Sequence, residues 1–205
     1  MTSRTWEPRP FESLRATIAS AERGEGWLSV CDDAGRYLVP TREFVASLAA
    51  HLRSLGGQGV LEVCAGRGEL AGLLQAAGTP VVATDAAPPP GSAVVAASAA
   101  EALGRYRPAV VLGCFVPIDA RVDALVLGTP SVRHYVVLGA RLAGAFGSAA
   151  LWQTSGWKAE PVDSVRRWMI TRHDVWMGRE LLQHGEAWHF RRTEGNEPHG
   201  ALLTR

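Results

Sequence analysis

The chain has 205 residues, 47% of them apolar and 20% charged, with a formal net charge of +1. That length suits one domain with a substantial core, and it is too short for two good ones. The near-neutral balance gives no electrostatic reason to expect a nucleic-acid partner. No apolar run approaches a membrane span, and Met1 to Arg4 does not lead into a signal-peptide core. Cys31, Cys64 and Cys114 are too widely spaced for a zinc site or a disulfide framework, so a reducing cytoplasm is the expected compartment.

In chain order, Met1 to Pro10 is polar and reads as a loose tail. Phe11 to Arg23 carries Leu14, Ile18 and Ala21 at helical spacing. Trp27 to Val30 and Arg36 to Val39 flank a turn at Asp32-Asp33-Ala34-Gly35 and predict a hairpin. Thr41 is a helix cap, and Phe44, Val45, Leu48, Leu52 and Leu55 form one apolar stripe that ends at Gly56-Gly57. Residues 1–57 are therefore expected to pack as an amino-terminal extension beside a core at 58–205.

The core opens with Val60 to Val63, short enough for a buried strand. It breaks at Gly66 and Gly68 and resumes at helical spacing through Leu70, Leu73 and Leu74. A second apolar run, Pro80 to Thr84, ends in Asp85. Strand, glycine turn, helix, strand and acid is the order of a nucleotide-binding half-fold, whose acid takes ribose hydroxyls. Gly66, Gly68 and Ala71 satisfy a dinucleotide pattern. Glu62, at the end of the first strand, argues the other way, because a buried carboxylate there would repel a pyrophosphate and suit a cationic ligand.

Glu62-Val63-Cys64-Ala65-Gly66-Arg67-Gly68 resembles the first signature motif of class I S-adenosylmethionine-dependent methyltransferases, with Cys64 where that signature has its first glycine. The resemblance implies a Rossmann-like, doubly wound α/β fold. Its sheet is mostly parallel and seven-stranded, with an antiparallel carboxyl-terminal strand pair. It also implies S-adenosyl-L-methionine as cofactor, held by Glu62, Cys64, Ala65, Gly66 and Gly68 at the turn and by Asp85 and Ala86 after the second strand.

Ala86 to Gly91, with three consecutive prolines, cannot be a helix, so the next crossover is expected as a loop. Ala93 to Ala97 is a short third strand. Ser98 caps a helix from Ala99 to Arg105 with Glu101 in a capping box, and Ser98 and Ala99 stand where the family contacts adenine. Pro108 to Leu112 is the fourth strand. Its end, Gly113 to Pro117, resembles the family's fourth motif, which implies Cys114 against the cofactor and Phe115 and Pro117 against the acceptor. A helix capped by Asp119 and running through Leu127, a fifth strand at Val132 to Leu138 and a helix from Ser148 to Trp152 follow. Val165 to Thr171 and Ala187 to Arg192 are expected to close the sheet as two antiparallel strands.

Trp152, Trp157, Trp168, Trp176 and Trp188 are five of the seven tryptophans; they pack the core or wall a pocket, with Trp157 the substrate-side candidate. His173-Asp174 is the candidate general base with a carboxylate behind it. His134 is expected as a satisfied core residue, and His184, His189 and His199 lack metal-like spacing. Lys158 is the only lysine and Asn196 the only asparagine. Those scarcities exclude the lysine-dependent ribose methyltransferases and the amino-directed enzymes with an Asn/Asp-Pro-Pro-aromatic motif. Cys114 lacks the preceding proline of the cytosine-C5 enzymes. A small-molecule acceptor methylated on O or N is the expectation. The alternatives are an RNA methyltransferase and a cofactor-binding partner protein without catalysis. Sequence leaves the oligomeric state open.

Overall fold

A computed structural model of the chain describes residues 7–20, 31, 36–57, 59–117, 121–141, 146–177 and 180–193. Among the described residues, helices α1 (Phe11–Ser20) and α2 (Arg42–Ser54) precede the sheet. α1 buries Phe11 together with Leu14 and Ile18 of the expected stripe, whose Ala21 lies outside the described residues. Thr41 caps α2 as expected: its Oγ1 accepts the Phe44 N–H at 3.0 Å, a contact worth about 1 kcal/mol. Arg9, in the stretch read as a tail, instead forms a bridge with Thr41.

The core then runs β1 (Val60–Val63), α3 (Glu69–Ala76), β2 (Val81–Asp85), β3 (Val95–Ala96), α4 (Ala99–Tyr106), β4 (Val110–Cys114), α5 (Val122–Gly128) and β5 (His134–Ala140). It closes with α6 (Ala149–Gln153), β6 (Trp157–Pro161), α7 (Asp163–Arg166), β7 (Val175–Met177), β8 (Glu180–Leu182) and β9 (Gly185–Arg192). The main sheet has seven strands in the order β3-β2-β1-β4-β5-β9-β6, while β7 and β8 pair separately. β1 to β5 are parallel. β9 lies antiparallel between β5 and β6. This is the expected Rossmann-like, doubly wound sheet.

Burial explains the order. Val110, Val111 and Leu112 of β4 are fully buried, as a central parallel strand covered on both faces must be. Leu48 and Leu52 of α2, Leu74 of α3 and Val165 of α7 pack with Leu112 and Val136 on one face. Leu103, Val126 and Leu151 pack with Val111, Tyr135 and Phe190 on the other. The chain winds outward in both directions from the β1–β4 pair. Such a reversal opens a crevice beyond the carboxyl ends of the strands, where ligands of open α/β sheets bind.

One closing strand differs from the sequence reading. Val165 to Thr171 is not a strand; residues 163–166 are α7, and Thr171 makes only an isolated bridge with Leu38. Val165, Met169 and Ile170 are wholly buried, but an apolar run of this length fits a helix and turn as readily as a strand. β6 takes the place instead. Lys158, Glu160 and Pro161 there are exposed, so an edge strand with a proline hides its identity in the sequence. Arg36 to Val39 is likewise not a strand and makes an isolated bridge at Leu38, with Thr171. The other arm of that hairpin and Asp119 lie outside the described residues. No helix among the described residues is long and apolar enough to cross a membrane.

Candidate functional site

The turn after β1 is built from left-handed backbone. Cys64, Gly66 and Gly68 have φ of 56°, 55° and 73°. A left-handed residue with a side chain costs roughly 1–2 kcal/mol, so Cys64 occupies a position that glycine fits without strain. Gly66 and Gly68 are required for different reasons. A Cβ on Gly68 would lie 2.6 Å from Val94 Cγ2, whereas a Cβ on Gly66 would enter open space. Gly68 is set by packing, whereas Gly66 faces open space.

Asp85 ties the turn to β2. Its Oδ2 accepts the Gly66 N–H at 2.8 Å and its Oδ1 accepts the Ala87 N–H at 2.9 Å. Each oxygen keeps a lone pair for a further donor. Ala65 is held beside it, its N–H donating to Thr84 O at 2.9 Å. Ala86 is exposed at the rim.

Glu62 is 2% exposed, and its Oε2 has no hydrogen-bond partner among the described residues. Burial pushes its carboxyl up to about 8, opposed by a hydrogen bond from the Ala71 backbone in α3. A buried carboxyl with one orphaned oxygen beneath a glycine turn suits a ligand bearing a cationic group. Cys64 is pushed up to about 11 by burial and then by Asp85 and Asp123. Burial and Glu62 raise the Cys114 thiol well above its ordinary value. Both stay protonated and neither is an activated nucleophile.

Ser98 forms the full capping box. Its N–H and Oγ–H both reach Glu101 Oε2, at 2.8 and 2.6 Å, and its Oγ accepts the Glu101 N–H at 3.3 Å. Ala99 begins α4 beside it. At the tip of β4, Phe115 has φ of 51° and donates its N–H to Leu138 O of β5 at 2.8 Å, while Pro117 is exposed.

Three residues outside the sequence expectation complete this rim. Arg36 grips Glu69, the first residue of α3, with Nε–Oε2 at 2.9 Å and Nη2–Oε1 at 2.7 Å. Such a two-point pair fixes the amino-terminal segment against the glycine turn. The Tyr37 ring packs on Phe115 at 5.6 Å, and the Arg172 guanidinium lies over Tyr37 at 5.0 Å. Arginines are abundant here, and nothing local in the sequence marked these two or the tyrosine.

His173 and Asp174 are not brought together as a pair. Asp174 is 1% exposed and accepts the N–H groups of Thr171 at 2.8 Å and His184 at 2.6 Å, and the Thr171 hydroxyl at 3.2 Å. It fastens the start of the β7–β8 hairpin to β9 and faces His184, whose Nδ1 is 3.5 Å away. His173 follows Arg172, and its N–H donates to Thr171 Oγ1 at 3.2 Å. Burial, then Arg172 and His184, lowers its pKa below the ordinary value. Trp157 is not brought to the others either. It pairs with Arg192 at the opposite end of the sheet, where the Arg192 guanidinium covers its ring at 4.5 Å. That guanidinium is itself fixed by the carbonyls of Val132, Leu127 and Thr129.

His134 is satisfied as expected, its Nδ1 3.0 Å from His189 Nε2. Among the described residues no group of three ligating side chains is placed to hold a metal ion.

No protein-family model matches the chain, and no curated protein matches it. Solved structures do. The magnesium protoporphyrin IX methyltransferase of Synechocystis PCC 6803 is 16% identical over 73% of this chain and 78% of its own, with a TM-score of 0.46. The 23S rRNA methyltransferase ErmE is 18% identical over 77% and 70%, also with a TM-score of 0.46. The 1,6-didemethyltoxoflavin-N1-methyltransferase of Burkholderia thailandensis is 14% identical over 90% and 84%, with a TM-score of 0.42.

Proposed function

We propose that the chain is an S-adenosylmethionine-dependent methyltransferase acting on O or N of a small molecule. The observation that carries this reading is the orphaned Glu62 Oε2 beneath the Gly66 turn, beside an Asp85 already fixed on the Gly66 N–H. Asp85 offers its remaining lone pairs to two ribose hydroxyls, and Glu62 offers a carboxylate to the ammonium end of an amino acid. The cradle at Gly66, open where a Cβ would stand, leaves room between them.

When bound, the cofactor supplies a methyl group on a sulfonium, ready for displacement. The chain's own contribution is alignment and exclusion of water. Cys64, Ala65 and Gly68 shape the turn, Ala86 borders the ribose, and Ser98 and Ala99 border the base. Cys114 borders the cofactor, Phe115 and Pro117 form the acceptor side, and Tyr37 and Arg172 cover it. His173 takes the acceptor's proton at a ring nitrogen; its lowered pKa keeps it unprotonated at neutral pH, the form a base needs. Asp174 takes no part in this, since its oxygens hold backbone. Calorimetric titration with S-adenosylhomocysteine and with NAD tests the reading: binding of the first and not the second is expected.

A further inference from the structure

Beyond the glycine turn, the carboxyl end of β5 borders an open-sided cavity of about 530 Å³ lined by Arg141, Phe146, Ser148, Trp152 and Trp188. It lies on the same edge of the sheet as the β4 tip, because Leu138 of β5 accepts the Phe115 N–H. We infer that this cavity is the acceptor site and takes a flat aromatic molecule carrying a negative charge, an aryl carboxylate. Its role as acceptor site rests on the proposed methyltransferase reading; the class of ligand follows from the cavity alone.

The aromatic walls are fixed before any ligand arrives. Trp152 donates its Nε1–H to Phe146 O at 2.8 Å, and Trp188 donates its Nε1–H to Glu186 Oε2 at 3.0 Å. Both indole donors are thus spent within the protein. The rings stand at 88° with centroids 4.9 Å apart, forming a corner. Trp152 is 46% exposed, an unusual setting for so large an apolar side chain. A planar ring can stack on one indole and abut the other in an offset or edge-on arrangement.

The polar side of the cavity has donors in excess. Arg141 uses Nε to hold Glu186 Oε1 at 2.9 Å and is nearly half exposed. Its terminal nitrogens have no further partner among the described residues. Glu186 is 6% exposed, and its Oε2 also faces Arg166 Nη1 at 3.6 Å. Arg166 also pairs with Asp163 at 2.8 Å, so the charge left open toward the cavity is the outer edge of the Arg141 guanidinium. The Ser148 Oγ is buried without a partner. Asp123 does not compensate for it, since its oxygens take the Tyr135 hydroxyl at 2.8 Å and the Ser148 N–H at 3.2 Å. An apolar corner beside an unfilled guanidinium edge and a hydroxyl matches an aryl group next to a carboxylate.

The test uses 2-naphthoate and its neutral amide, 2-naphthamide, titrated calorimetrically into the wild type, Arg141→Gln and Trp152→Leu. S-adenosylhomocysteine is titrated into each as a control. The carboxylate should bind the wild type roughly tenfold to a hundredfold more tightly than the amide, as expected for a charge-assisted contact. Arg141→Gln should remove that preference, and Trp152→Leu should weaken both ligands. Equal affinities, a preference that survives Arg141→Gln, or no binding to the wild type would overturn the inference. With S-adenosylhomocysteine still bound, that failure leaves the cofactor reading standing. Naphthoate bound without S-adenosylhomocysteine would instead remove the cavity's role as acceptor site.

Discussion

At the β1–β2 half of the sheet edge the groups proposed to face the ligand are set by backbone: left-handed residues at 64, 66 and 68, and an Asp85 locked onto the Gly66 N–H. At the β4–β5–β9 half they are side chains gathered from distant segments, with Tyr37, Phe115 and Arg172 in one stack and Arg141, Trp152 and Trp188 in another. Backbone geometry over 24 residues, Glu62 to Asp85, reappears as a local pattern of glycines and acids. A wall assembled from residues 37 to 188 does not. The two halves therefore differ in how a substitution should act: cofactor affinity should respond on one side, turnover and acceptor affinity on the other.

The largest effect is expected on the acceptor side. If His173 takes the acceptor's proton, His173→Ala should lower kcat roughly 10²–10⁴-fold. Its affinity for S-adenosylhomocysteine should stay unchanged. Loss of activity only in proportion to loss of folded protein would instead make His173 structural. On the cofactor side, Asp85→Ala should weaken S-adenosylhomocysteine roughly a hundredfold if each ribose hydroxyl is held by a charge-assisted bond. Because Gly66 also loses its partner, a loss of roughly 1 kcal/mol in stability should accompany it. Unchanged affinity would place the ribose elsewhere.

The glycine turn gives a finer contrast. Gly68→Ala forces a Cβ against Val94 and should lower the thermal midpoint. Gly66→Ala has space for its Cβ and should lower stability by only about 1–2 kcal/mol, the left-handed cost. Its main effect should be on cofactor binding. Equal effects of both changes on binding would mean that Gly66 does not border the ligand.

Much of this contrast was legible. The parallel strands, the Thr41 and Ser98 caps and the glycine turn follow from apolar runs and capping residues that act within a few positions. The edge strand β6 was not, because its polar, proline-bearing sequence lacks the period of a half-buried strand. Adjacency in sequence suggests a carboxylate behind His173. The chain turns there, and hydrogen bonds to Thr171 and His184 take the carboxylate. Adjacency does not specify which neighbour a side chain meets.

A further expected effect is a pH dependence of stability. Glu62 has a folded pKa raised to about 8 from an ordinary 4.5, so the unfolded chain releases its proton first. Its share of stability is full below pH 4.5 and is lost as pH rises through about 8. Glu62→Gln should remove that loss, so that the variant gains on the wild type in chemical denaturation at pH 8 and not at pH 5. The same change should weaken S-adenosylhomocysteine. A wild-type stability that does not fall between these two pH values relative to the variant would show that Glu62 is not buried as described.

The central claim is that Glu62, the Gly66 turn and Asp85 form one site for a cationic, ribose-bearing cofactor. Calorimetric titration of the wild type with S-adenosylhomocysteine and NAD, repeated on Asp85→Ala, tests it most directly. Saturable binding of S-adenosylhomocysteine, weakened by the substitution and with no response to NAD, is the predicted result. NAD binding without any response to S-adenosylhomocysteine would contradict it.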